Sequence, residues 1–374
     1  MPSVVSRVLR RLDSVVPARH HAAVIQDVIV IGAGISGLAL AREARSRGLA
    51  PVVLERARGV GGRCATRRID DQPVDHGVAF LHGRTPRFLE ALDVVPDVSR
   101  ISDWPRVRKG TGVPCQPQAF DGRERRVALA GGVSGFAKCL AGGLDVRLET
   151  NVEALVAVVE PGSPVGRRWE VRLASGGTLQ ARALALTMPV PSASALLQQM
   201  EPRVPAVTAL LPLLGLVQTL PCLTVIARYP AGTPAPAWEI SLPRDSAGIH
   251  AILHDSSKRA PGSRLILVIQ ARPGFSRSHL DDPVESWTRA LLKEAASFHG
   301  EWIERPELVQ PHIWRNARVA VGSELAGPVA VRLDGGAVLG VAGDGFHAAG
   351  GVEGAYLSGM ALAERFLEMV PTLP

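Results

Sequence analysis

Lysine is nearly absent from this chain. Lys109, Lys138, Lys258 and Lys293 are the only ones in 374 residues, so the formal charge of +7 rests almost wholly on arginine. No basic patch interleaved with aromatics, no finger spacing and no recognition helix accompanies that charge, which argues against a nucleic-acid partner. A run of about 18 uncharged apolar residues, the length a spanning helix needs, is also missing. The longest candidate, Val204 to Val217, is interrupted by Pro205 and Pro212. The four cysteines, Cys64, Cys115, Cys139 and Cys222, lie far apart with no CxxC pair, so neither a zinc site nor a disulfide framework is indicated. Each reads as a small buried hydrophobe in a reduced, cytoplasmic setting. No nucleophile–base–acid triad is evident either.

At this length a single core would have stopped growing, and two domains are expected. The 46% hydrophobic share suits a large globular core. Residues 1–26 differ from the rest. Val4, Val5, Val8, Leu9, Leu12, Val15 and Val16 recur at helical spacing among Arg7, Arg10 and Arg11. Such a basic extension fits a docked helix, a presequence or a membrane-touching surface helix, with residues 1–22 as the membrane contact.

The chemistry begins at Asp27. Val28 to Ile31 are four consecutive β-branched residues, a pattern suited to a parallel strand buried on both faces. Gly32-Ala33-Gly34-Ile35-Ser36-Gly37 follows and opens a helix that ends near Gly48. Gly32 permits the tight bend, Gly34 lets a pyrophosphate approach the backbone, and Gly37 lets helix and sheet pack closely. The helix start, with Ile35 and Ser36, offers N–H groups and a positive dipole end to phosphate. A second apolar strand stops at Glu55, placed to accept hydrogen bonds from a ribose diol. Directly after Glu55 and Arg56 comes Gly61-Gly62-Arg63, a second loop where backbone can press against a cofactor and arginine can meet a phosphate with paired donors.

The far end of the chain supplies a matching element. Ala337 to Ala342 is a buried-strand run, and Gly343-Asp344 sits where it stops, the position at which open α/β sheets bind ligands. Asp344 is placed to accept hydrogen bonds from the ribityl hydroxyls of FAD. Gly350-Gly351 then opens a helix from about Val352 to Met369, whose N-terminal dipole would stabilise negative charge on a reduced flavin. Enzymes using NAD through the first motif alone lack this closing element, so FAD is the expected cofactor. No cysteine follows Cys222, so a late cysteinyl tether is absent and the FAD is expected to be non-covalent.

The dinucleotide motif with Gly61-Gly62-Arg63 and Asp75-His76-Gly77-Val78-Ala79-Phe80 resembles the FAD-dependent amine-oxidase superfamily, and within it the renalase-like branch. The resemblance continues in Thr187-Met188-Pro189, Asp255-Ser256-Ser257-Lys258, Pro311-His312-Ile313-Trp314-Arg315 and Gly343-Asp344 with Gly351-Val352, and it spans Asp27 to Phe366. It implies an α/β fold, a Rossmann-type FAD-binding domain with an α+β substrate domain on an antiparallel sheet. It also places the backbone at Val152 beside the adenine. The expected division is 27–82, 123–188 and 316–370 for the FAD-binding domain, and 83–122 and 189–315 for the substrate domain. The activity implied is oxidation of dihydropyridine isomers of NAD(P)H to NAD(P)+, with oxygen taking the electrons and forming hydrogen peroxide. The alternatives are oxidation of a small amine or other C–H donor, and a membrane-surface flavoprotein with little turnover. Because a flavin brings its own reactive centre, the protein has chiefly to hold a small-molecule hydride donor. Trp314, Arg315, His76 and His347 are the candidates, with Phe80 as a further pocket residue. Trp314 either walls the site or fills the domain interface, while Arg315 would meet an anionic part of the substrate. His76 and His347 stand at glycine-flanked positions that allow close approach.

Overall fold

The computed structural model describes residues 25–159 and 167–369. Of the expected N-terminal extension over 1–26, residues 1–24, with the whole membrane contact expected over 1–22, lie outside the described residues, while Ile25 and Gln26 belong to the first strand. Among those that are described, no helix is long and apolar enough to cross a membrane.

The β-branched run forms the strand Ile25–Ile31 at the heart of a mainly parallel sheet. It pairs in parallel with Pro51–Leu54 on one side and Thr178–Leu186 on the other. Asp145–Arg147 extends the sheet beyond the first of these, and Val338–Val341 extends it beyond the second, so both ends of the chain enter one sheet. An antiparallel pair, Val152–Val159 and Arg167–Leu173, continues from the first half of Thr178–Leu186. Val28, Ile29 and Val30 are fully buried, as residues covered on both faces must be.

Helices Ile35–Ser46 and Gly351–Met369 lie on one face of this sheet. They approach so closely that a side chain at Gly359 would sit 2.1 Å from the Ser36 carbonyl oxygen. The other face is covered by 190–217, where Val190, Leu197, Val207 and Leu214 pack on Ile29, Ile31, Leu184 and Leu339. This corrects the expected boundary at 189, because the prolines of that stretch separate short helices whose apolar sides belong to the parallel-sheet core.

The second layer is a six-stranded sheet, ordered Leu308–Val319, Thr219–Arg228, Ile266–Ala271, Ile249–His254, Ile240–Ser241 and Arg108–Lys109. Its strands alternate, apart from irregularities at Leu220/Cys222 and Ile249/Ala251. Leu223, Val225, Leu267 and Ile269 face the helix Val284–His299, which returns Trp287, Leu291 and Ala295 at one-turn spacing. Thr224, Ile226, Val268, Gln270, His312 and Trp314 take the opposite phase and look toward the parallel-sheet layer. Of the interval 83–122, Arg108–Lys109 joins this sheet, while Leu81–Gly83 and Arg100–Ser102 flank Arg125–Leu129 in a separate three-stranded sheet. The strand Leu308–Val319 also runs without a break through the expected boundary at 315.

Candidate active site

The two layers enclose a cavity of about 1650 Å³, larger than the ~300–1,000 Å³ of an ordinary ligand pocket. At one end stand Glu55, Arg56 and Val152, and along its floor run Gly32, Gly34, Ile35, Ser36, Gly61 and Gly62. Gly343, Asp344, Gly351 and Val352 come in from the C-terminal segment, and His76, Trp314 and Arg315 from the region of the six-stranded sheet. Two of the candidates do not line it. Gly37 is a packing residue, since a side chain there would lie 2.1 Å from the Gly32 carbonyl oxygen. His347 is turned into its own loop, where its Nδ1 accepts the Ala349 amide at 3.1 Å.

The floor is built for an anion. Gly32 has a φ of 109°, open to glycine but rarely to other residues, and the bend delivers the chain into the helix with Leu38 N–H donating to the Gly34 carbonyl at 3.0 Å. The amides of the first turn therefore have no helical acceptor. Ser36 Oγ is buried in the cavity wall without a partner, and a Cβ on Gly34 would meet nothing within 4 Å. An orphaned hydroxyl beside open space at a helix N-terminus fits a bound pyrophosphate. Glu55 accepts the Ala33 amide at 2.9 Å on one oxygen and the Ala57 amide at 2.8 Å on the other. Its carboxylate is thereby fixed in the cavity wall with lone pairs remaining for a diol.

Arg63 differs from expectation. Its paired donors meet Asp344 at 2.7 and 2.8 Å, so the fork anticipated for phosphate is engaged by the carboxylate anticipated for ribityl hydroxyls. Burial lowers the Arg63 pKa, but Asp344 outweighs it and leaves the guanidinium more firmly protonated than usual. The pair clamps the second glycine loop to the end of the last parallel strand.

At the opposite end, His76, His312 and Trp314 form an aromatic cluster. Trp314 stacks on His76 with centroids 5.2 Å apart, His312 meets both rings edge-on at 4.8 and 4.2 Å, and Trp314 Nε1 donates to the His76 carbonyl at 3.1 Å. Burial, helped by His312 and Arg67, pushes the His76 pKa down to about 4, so the ring is neutral near pH 7. Its Nδ1 is buried and has no hydrogen-bond partner. Gly77 admits Trp314, because a side chain there would lie 2.3 Å from the Arg63 carbonyl oxygen and 3.0 Å from the indole.

A wholly buried network holds His76 in place. Asp75, the preceding residue, receives Lys258 Nζ at 2.6 Å and Arg259 at 2.9 Å, and the same two cations meet Asp255 at 2.7 and 2.8 Å. Two acids and two bases give a cluster with no net charge, which is how four buried ions persist.

Sequence pattern alone did not single out four lining residues, His312, Arg318, His250 and Cys115. The first two were within reach of the alternation rule, since positions 312, 316 and 318 share a face with Trp314. Arg315 falls on the other face and is 64% exposed, 3.9 Å from Asp281. His250 stands at a β-bulge between Ile249 and Ala251, which no periodicity announces.

A dinucleotide cradle completed by the C-terminal strand and helix, facing an aromatic wall, defines an FAD-dependent oxidoreductase. The family model for NAD(P)-binding Rossmann-like domains matches residues 30–93, and that for flavin containing amine oxidoreductase matches residues 101–367. The chain belongs to the flavin-containing amine oxidoreductase family. Among curated proteins it is similar to the flavin-containing amine oxidase of Oncorhynchus mykiss, 47% identical over 64 residues, which are 17% of this chain and 12% of that protein. It is also similar to pseudooxynicotine dehydrogenase from Pseudomonas sp, 38% identical over 60 residues, 16% of this chain and 12% of the relative. These matches thus cover only a short part of each relative. Solved structures match across the fold. Cyclohexylamine oxidase from Brevibacterium oxydans IH-35A superposes with a TM-score of 0.68 at 16% identity, covering 92% of this chain and 99% of that one. Putrescine oxidase bound to putrescine gives 0.62 at 14% identity, with the same coverage.

Proposed function

We propose that this flavoenzyme oxidises a dihydronicotinamide, as in the renalase-like branch, with molecular oxygen as acceptor. One observation carries the proposal. The cavity wall contributed by the six-stranded sheet contains no carboxylate, while His250, His312 and Arg318 all line it. Such a wall disfavours an alkyl diammonium ion and accommodates a flat, neutral ring attached to anionic groups. The chemistry FAD would supply when bound is acceptance of a hydride from the donor carbon, which leaves a pyridinium, with both electrons and a solvent proton ending on oxygen as hydrogen peroxide. The chain's own residues bind and orient. Glu55, Ser36 and the first-turn amides would hold ribose and pyrophosphate, with Val152 beside the adenine. The Arg63–Asp344 pair would support the central part of the cofactor, and the helix beginning at Gly351 would favour negative charge on the reduced ring. Trp314 and His76, neutral and stacked, would wall the donor and exclude water.

The second reading, oxidation of a small amine, is favoured by the family match and by neighbours such as cyclohexylamine oxidase. Anaerobic mixing of the holoenzyme with each donor class decides between them. Rapid bleaching by dihydronicotinamide isomers is expected, and bleaching by primary amines with none by those isomers would overturn the proposal.

A further inference from the structure

We infer that Arg318 and His250 form an oxyanion subsite in the sheet-lined half of the cavity, so that the donor carries a phosphate or carboxylate group. The inference builds on the donor class proposed above and adds the part of the donor that is recognised away from its reacting ring.

Arg318 occupies the cavity-facing phase of the strand Leu308–Val319 and is half-buried in the wall. Among the described residues no carboxylate lies within ion-pair distance of it, whereas Arg63, Arg259 and Arg228 each meet at least one. The hydrogen bonds its side chain makes there are to thiols, those of Cys115 and Cys222. Neither sulfur neutralises it, because burial, although opposed by Arg318 itself, pushes the Cys115 thiol up to about 11 and raises that of Cys222 as well, which keeps both protonated. His250, also on the wall, has a buried Nε2 with no partner. Burial, followed by Arg318 and Arg272, drives its pKa down to about 3, so the ring is neutral and available as a hydrogen-bond donor. A half-buried cation beside an unpartnered imidazole nitrogen costs free energy until an anion completes it. Ile240, Leu242, Ala251 and Leu253, which line the same cavity on or next to the strands around His250, are apolar, and an apolar wall strengthens a charge pairing made against it.

The test uses the oxidised, FAD-loaded full chain and reads perturbation of the flavin absorbance on titration with phenyl phosphate, benzoate and the neutral isostere benzamide. Both anions should bind at least about tenfold more tightly than benzamide, the ratio expected for one charge-assisted hydrogen bond. The tighter of the two identifies phosphate or carboxylate as the natural group. Arg318→Gln should abolish the preference and Arg318→Lys should restore part of it. Wild-type protein with no preference for the anions, or an Arg318→Gln variant that retains FAD and the full preference, would overturn the subsite. The donor class fails separately, if the Arg318-dependent preference is present and dihydronicotinamide isomers leave the flavin oxidised.

Discussion

Replacing Lys258 by Met should unbalance the buried network behind His76, and the size of the effect follows from its geometry. Lys258, Asp75 and Asp255 have side chains that are 0% exposed and Arg259 is 2% exposed, so removal of Lys258 leaves two carboxylates against one guanidinium. Loss of one partner from a buried ion cluster typically costs about 3–5 kcal/mol. With an unfolding entropy of roughly 2.1 cal/mol/K per residue, this chain should lose about 4–6 °C in Tm at pH 7.5. The double variant Lys258→Met with Asp255→Asn restores neutrality and should recover a large part of the loss.

The pH dependence has a definite sign. Burial alone would raise the Asp75 carboxyl, but Lys258 and Arg259 outweigh it and hold it below the usual carboxylate range. In wild type, Asp75 therefore contributes stability that is present above its unfolded pKa and lost as pH falls through the folded value. In the variant, without the lysine, Asp75 takes up a proton at higher pH, which relieves the uncompensated charge. The Tm gap between the two proteins should narrow from pH 8 to pH 5. Scanning calorimetry of the holoproteins measures it. A Tm loss below about 1 °C at pH 7.5, or a gap that widens on acidification, would refute the reasoning.

Three further outcomes follow from the site. Glu55→Ala should weaken FAD binding by about 1–3 kcal/mol, through loss of the diol acceptor and of the Ala33 and Ala57 amide contacts, and equilibrium titration of the apoprotein with FAD checks it; unchanged affinity would mean the ribose lies elsewhere. Gly77→Ala should displace Trp314 and alter the visible circular dichroism of the bound flavin, whereas Gly122→Ala, with no atom within 4 Å of the new Cβ, should not. Because His76 titrates near 4, its protonation should leave flavin reduction rates unaffected between pH 5.5 and 8.5. A limb near pH 6.5 in stopped-flow profiles that disappears in His76→Asn would contradict this.

The first strand, its glycine turn, the helix after it and the acid at Glu55 were legible because each obeys a local rule: β-branched run, positive-φ bend, small packing face. The last helix was equally plain, expected from Val352 to Met369 and found as Gly351–Met369. Long-range pairing was not legible. Nothing local to Arg63 announces that its donors end on a carboxylate 281 residues away, and a phosphate was the reasonable partner for an arginine beside a glycine loop. The same blindness moved 190–217 to the wrong layer, since its apolar residues indicate burial without saying against which sheet. His347 was chosen for its glycine neighbours, but a side chain that bonds its own loop leaves no trace in composition.

The clamp between Arg63 and Asp344 also has a consequence for biosynthesis. One half of the flavin cradle leaves the ribosome long before the other, since 281 residues separate the two partners of the clamp. During translation the early glycine loops can only wait, with an unclosed pocket and an unmatched arginine. A nascent chain stalled before residue 344 should therefore be unable to retain the yellow cofactor, however much of its sequence has already emerged.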